Sequence, residues 1–122
     1  MFYGLAEEAM KFYISLFKDS KIISINHYDK NGPGPEGSVQ LAKFSLQDQE
    51  FLCIDSFIQH AFSFTPAFSI FVDFDSVEEL TDVFQELSNG GKVFMDLDDH
   101  GFSKKFAWVE DKFGVSWQLN LP

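Results

Sequence analysis

The side chains able to do chemistry in this chain are few and scattered. Three histidines, His27, His60 and His100, stand far apart, and the one cysteine, Cys53, lies in the apolar run Phe51-Leu52-Cys53-Ile54. A single cysteine excludes an internal disulfide and a Cys-rich zinc site, and its setting makes Cys53 most simply a small buried apolar residue. Asp96, Asp98, Asp99 and His100 crowd together, but without the regular oxygen spacing of a calcium loop they read as a solvated turn. General-base chemistry needs one positioned carboxylate or imidazole. Glu110, Asp55 and His60 are the candidates, and no pair among them is spaced for concerted acid and base work. No serine stands in a nucleophile-elbow pattern and Cys53 lacks an activating neighbour, so no catalytic residue is assigned.

The elements that would position these groups occur twice. Residues Leu5 to Tyr13 match Ser76 to Phe84, and each stretch opens an amphipathic helix followed by strand-like segments. Such an internal repeat is the first feature to seek, because missing it misreads the fold. The spacing predicts a helix over 6–17, with Leu5, Ala9, Phe12, Tyr13, Leu16 and Phe17 on one face. A strand over 20–28 follows, with Ile23, Ile25 and His27 on one side and Ile22, Ser24 and Asn26 on the other. Gly and Pro mark 29–37 as a loop and a candidate lid. Strands over 39–46 and 50–55 are joined by a tight turn at 47–49. The second half repeats the order, with a strand over 67–74, a helix over 76–88, and strands over 92–97, 104–109 and 115–121. Each half is thus β-α-β-β-β, with pseudo-repeats 1–55 and 67–121, linker 56–66, and one domain over 1–122. The first strand of the first half is cut short, since aligning the helices leaves 68–71 with no counterparts ahead of Met1.

Composition bounds the function. The formal charge of -10 repels phosphate backbones and anionic lipid, which excludes nucleic acid and membrane surfaces as partners. No apolar run approaches a membrane span and the first residues do not resemble a signal peptide, so a cytoplasmic protein is expected. Aromatic residues make up 17% of the chain, 16 of them Phe, and rings in that number must fill a core, a subunit interface or an apolar pocket.

Three ordered stretches carry a resemblance. They are Gly4-Leu5-Ala6-Glu7-Glu8-Ala9-Met10-Lys11-Phe12-Tyr13 with Leu16-Phe17; Asp55 with His60-Ala61-Phe62-Ser63-Phe64-Thr65-Pro66-Ala67-Phe68-Ser69; and Asp111-Lys112-Phe113-Gly114-Val115-Ser116-Trp117-Gln118. On the paired β-α-β-β-β units the chain resembles the vicinal oxygen chelate superfamily of glyoxalase-like and bleomycin-resistance-like proteins. On these stretches it resembles the PhnB-like branch, whose members are often named demethylubiquinone methyltransferase-like. The resemblance implies an α+β fold in which curved, mostly antiparallel sheets enclose a cleft, and a homodimer. Methyl transfer from S-adenosylmethionine calls for a Gly-rich turn after a strand of a doubly wound sheet, and nothing in this chain follows that pattern.

The resemblance also implies where a divalent metal would be held, on first and last strands of each half. Those places are Gln118, Leu52 and, on the first strand of the second half, Phe68 or Ser69. A Lewis-acid metal needs several anionic or imidazole ligands with open positions, and this set offers one neutral amide. His60 and Asp55 could lean in from the linker and the strand end, where such residues more often serve as rim or capping groups. No metal ligand and no cofactor are therefore assigned. Strand alternation puts Ser116, Gln118 and Asn120 on one face of the last strand and Trp117 and Leu119 on the other, and the resemblance turns the Gln118 face to the cavity. The expectation is a small apolar or aromatic molecule bound without metal, with Gln118, Trp108, Ser69, His60, Asp55 and Ser116 as binding residues. The alternatives are a divalent-metal-dependent lyase, isomerase or dioxygenase whose ligands the partner subunit completes, and an interaction module without ligand.

Overall fold

The computed structural model describes residues 1–122. Its elements are α1 (Ala6–Leu16), β1 (Lys21–His27), β2 (Val39–Leu46), β3 (Gln49–Cys53), β4 (Ile70–Asp73), α2 (Val77–Ser88), β5 (Lys92–Asp98), β6 (Lys105–Glu110) and β7 (Ser116–Leu121). They fall into two compact units, Met1–Ala61 and Phe62–Pro122. No helix is long and apolar enough to cross a membrane. The fold is α+β, and each unit is a helix on a small sheet.

In the first unit β1, β2 and β3 pair antiparallel in that order. Ahead of α1 there is a single parallel bridge of Phe2 to Asp55, where Phe2 N–H donates to Ile54 O (2.8 Å) and Ser56 N–H to Phe2 O (2.7 Å). Helix α1 buries Ala6, Ala9, Met10 and Tyr13, a stripe at three- and four-residue spacing. That stripe is rotated from the expected one. Leu5 is 46% exposed because it is the cap position, with φ -114 and ψ 8, and does not share the helical spacing.

The expected alternation along β1 also fails. Ile22 lies opposite Phe44 and Ile25 opposite Ala42, with a register shift between Ile22 and Ser24. Phe44 and Ala42 point the same way on β2, so Ile22 and Ile25 share a side and Ile23 is the extra residue of a β-bulge. The β2–β3 turn has two residues, Gln47 and Asp48, with φ of 50° and 68°. Positive φ at both central residues matches the right-handed twist of the strands. Loop 29–37 does not stand free as a lid. Tyr28 N–H donates to Ser38 O and Gly37 N–H to Tyr28 O, both at 2.9 Å. The loop presses on the Tyr28 ring so closely that a Cβ at Gly34 would lie 2.5 Å from it.

In the second unit the order is β4-β7-β6-β5, with β4 parallel to β7 and the rest antiparallel. Residues 67–69, expected to begin the strand, form a turn instead: Thr65 accepts from Ala67 N–H through Oγ1 and from Phe68 N–H through its carbonyl. Helix α2 starts at Ser76, whose Oγ accepts from Glu79 N–H (3.2 Å), and buries Leu80, Val83 and Leu87. These meet the side of the sheet that carries Ala107, Val109, Trp117 and Leu119, all fully buried. Burial of each large side chain here contributes roughly 1.5–3 kcal/mol.

Candidate ligand-binding face

The face of the second sheet turned away from α2 follows from strand alternation. With Trp117 and Leu119 against the helix, Ser116, Gln118 and Asn120 of β7 must point the other way. Cross-strand partners extend each into a row. Gln118 lies between Phe71 of β4 and Trp108 of β6, and Asn120 between Asp73 and Phe106. Ser116 lies opposite Glu110, and its Oγ is 2.6 Å from Ser69 Oγ.

Around Ser116 the polar groups are tied together. The indole Nε1–H of Trp108 donates to Ser116 Oγ at 2.9 Å, which leaves the serine hydroxyl proton free to meet Ser69. Ser116 is buried, and Trp108 and Gln118 are half-buried. The bond fixes the Trp108 ring plane, and Phe94 lies beside it at 4.9 Å between centroids. Phe71 is 55% exposed and stands 6.3 Å from Phe106, which Phe102 meets edge-on at 4.9 Å. The face is therefore an aromatic plate carrying a hydroxyl pair and an amide. It can hold a flat apolar molecule and orient it by a few hydrogen bonds.

Four of the six residues expected from sequence, Ser69, Trp108, Ser116 and Gln118, come together here. His60 and Asp55 belong to the first unit. His60 Nε2 is 3.2 Å from Ser56 Oγ, and its ring is 6.5 Å from that of Tyr3. Asp55 is buried and accepts from three backbone amides: Gly4 and Ala6 at Oδ1 and Val39 at Oδ2, each at 2.9 Å. From sequence, Asn120 was placed on this face and Phe71, Phe94 and Asp73 were missed. Phe71 and Asp73 could have been found by carrying the alternation of β7 across to its parallel neighbour. Phe94 could not, because the register shift between Val93 and Met95 breaks the alternation.

The second tryptophan is set apart. Trp117 is fully buried on the helix side, and its Nε1–H donates to Asp111 Oδ2 at 2.9 Å, while Asp111 Oδ1 accepts from Phe113 and Val115 N–H. Cys53 is buried, and desolvation, with a smaller contribution from the Asp55 charge, pushes its thiol up to about 11. It is therefore a poor nucleophile. The acidic knot is a self-bonded turn, with Asp99 accepting from Gly101 N–H and the His100 ring nitrogen Nε2 2.8 Å from Asp96 O.

A divalent metal needs several anionic or imidazole donors converging on it. No three His, Cys, Asp or Glu side chains stand close enough together to hold one. Around Gln118 the neighbours are an indole, a phenyl ring and two hydroxyls, which do not make a divalent-metal set. At the equivalent place in the first unit stands Leu52, 63% exposed.

Comparison with known proteins places the chain. The family model described as 3-demethylubiquinone-9 3-methyltransferase matches residues 1–120. A PhnB protein from Bacillus cereus is 55% identical, with a TM-score of 0.98 over 100% of this chain and 95% of that one. A protein from Pseudomonas aeruginosa is 23% identical, with a TM-score of 0.85 over 98% and 91%. A glyoxalase family protein from Enterococcus faecalis shares the fold at 16% identity and a TM-score of 0.53, over 93% and 86%. No curated protein matches. With the family match over residues 1–120 and the 55% identical relative, the chain belongs to the PhnB-like family, and its fold is glyoxalase-like.

Proposed function

We propose that the protein binds a small apolar or aromatic molecule on the face of its second sheet turned away from α2, without metal. The observation that supports this best is the Ser69–Ser116–Trp108 chain of hydrogen bonds. It holds an indole rigid next to the half-buried Gln118 amide in a field of Phe rings. A plate of this kind supplies apolar contact through Phe71, Phe94 and Trp108, and orientation through Gln118 and the hydroxyl pair. The same reading takes the protein as a cytoplasmic homodimer, since the first unit leaves β1 as an open edge and stabilising such an edge calls for a partner.

Methyl transfer, the activity in the family description, finds little support in the helix starts. A helix N-terminus can grip an anionic cofactor group only if its amides are open. Here Asp55 occupies the amides of Gly4 and Ala6 at α1, and Ser76 occupies that of Glu79 at α2.

The test uses the two tryptophans. N-phenyl-1-naphthylamine, a neutral fluorescent probe, is expected to quench the emission of a Trp117→Phe variant, in which Trp108 alone reports. A Trp108→Phe variant should show little quenching, and Ser116→Ala should weaken binding several-fold. Equal quenching in both tryptophan variants, or none in the wild type, overturns the proposal.

A further inference from the structure

We infer that this face carries a subsite for a protonated amine, built from Asp73, Asn120 and the exposed ring of Phe71. The inference rests on the face being the binding surface and names the chemistry of what it takes. Asp73 is exposed, and its carboxylate Oδ1 accepts from the side-chain amide of Asn120 at 2.7 Å. The ion pairs of Glu7 with Lys11 and His27 lie elsewhere, and Asp73 forms none.

Asn120 supplies the second, independent observation. It is only 8% exposed, and its carbonyl oxygen Oδ1 is buried without any hydrogen-bond partner. Buried polar atoms are nearly always paired, and an exception calls for an explanation. Donation to Asp73 fixes which end of the amide is the nitrogen and leaves Oδ1 as the atom without a partner. A donor brought by a ligand would fill it.

The Phe71 ring completes the chemistry. Phe71 is two residues from Asp73 on the same side of β4, and its ring lies 6.3 Å from that of Phe106. Ring faces attract ammonium groups, and an ammonium offers several N–H donors to a carboxylate and a carbonyl at once. The chain's net charge of -10 concentrates cations around it. The row Asp73–Asn120–Phe106 lies two residues along the strands from the row Phe71–Gln118–Trp108, a distance of about 6–7 Å. A ligand with its aromatic part on the second row and its nitrogen on the first is an arylalkylamine with a short linker.

Calorimetric titration with 2-(naphthalen-1-yl)ethylamine and with 2-(naphthalen-1-yl)ethanol, at neutral pH and low salt, tests this. The wild type should bind the amine about tenfold or more tightly than the alcohol, as one charge-assisted bond allows. Asp73→Asn, an exposed and isosteric change, should remove the preference by weakening amine binding about tenfold. Equal binding of amine and alcohol by the wild type, or a preference that survives Asp73→Asn, overturns the subsite and leaves the apolar face standing. Binding of neither compound overturns both.

Discussion

The two units of this chain solve one problem, how to begin a helix on a sheet, by opposite means. In the second unit the solution is local: Ser76 caps α2 three residues from the amide it serves. In the first unit the cap position is Leu5, which has no side chain to offer, and the acceptor is Asp55, from beyond the end of β3. Asp55 also takes the Val39 amide, so one carboxylate joins the helix start, the entry to β2 and the segment just after β3. Where β4 has four residues paired to β7, the first unit has the Phe2 bridge, and Asp55 fastens the helix start beside it. A duplicated fold can keep its outline while moving the bonds that hold it.

Removing the two caps should separate these solutions by the largest margin. Asp55→Ala leaves three amides without their charged acceptor, two of them fully buried, and is expected to cost about 3–5 kcal/mol in urea unfolding. Ser76→Ala should cost about 1 kcal/mol, the usual worth of an N-cap. Similar losses from the two substitutions would refute the contrast.

Much of this was open to sequence reasoning, and the failures have a common cause. The division of Trp117 from Ser116 and Gln118 needed only the period of a strand, and α2 needed only the spacing of Leu80, Val83 and Leu87. Asp55 could be singled out, but its partners are as far as 51 residues away in sequence, and no local pattern connects them. Bulges defeated the alternation along β1 and β5, because one inserted residue changes the side of everything after it. On the candidate face, the hydroxyl pair was legible as residues and not as a bond. Ser69 and Ser116 come from segments 47 residues apart, and their contact exists only once β4 lies parallel to β7.

The hairpin turns extend the comparison at smaller scale. Asp48, in the β2–β3 turn, holds φ at 68° without being glycine, whereas Gly114, in the β6–β7 turn, holds φ at 94°. Left-handed backbone strains a side chain bearing a Cβ. Asp48→Gly should therefore stabilise by roughly 0.5–1 kcal/mol, and Gly114→Ala should destabilise by about 1 kcal/mol. A Cβ at Gly114 would sit 3.7 Å from Phe64, an ordinary contact, so backbone conformation and not crowding sets that cost. Thermal unfolding of the two variants should move in opposite directions, and a shift of the same sign in both would break the contrast between the turns.

The smallest effect concerns how α1 is tied to its own sheet. Glu7 in its first turn receives the Lys11 ammonium at 2.6 Å and lies 2.5 Å from the His27 ring nitrogen on β1. The hydrogen bond from Lys11, then that from His27, holds the Glu7 carboxyl below its ordinary 4.5. A carboxylate depressed in the folded state stabilises above its unfolded value, and that contribution fades as pH falls through the folded one. The side chain is 35% exposed, so solvent screening limits the effect to about 0.5 kcal/mol or less. Stability measured for wild type and Glu7→Gln should differ by that amount at neutral pH and converge below 4.5. A gap that widens on acidification would mean that the bridge strains α1 against β1, leaving Asp55 alone to fix the helix on the first sheet.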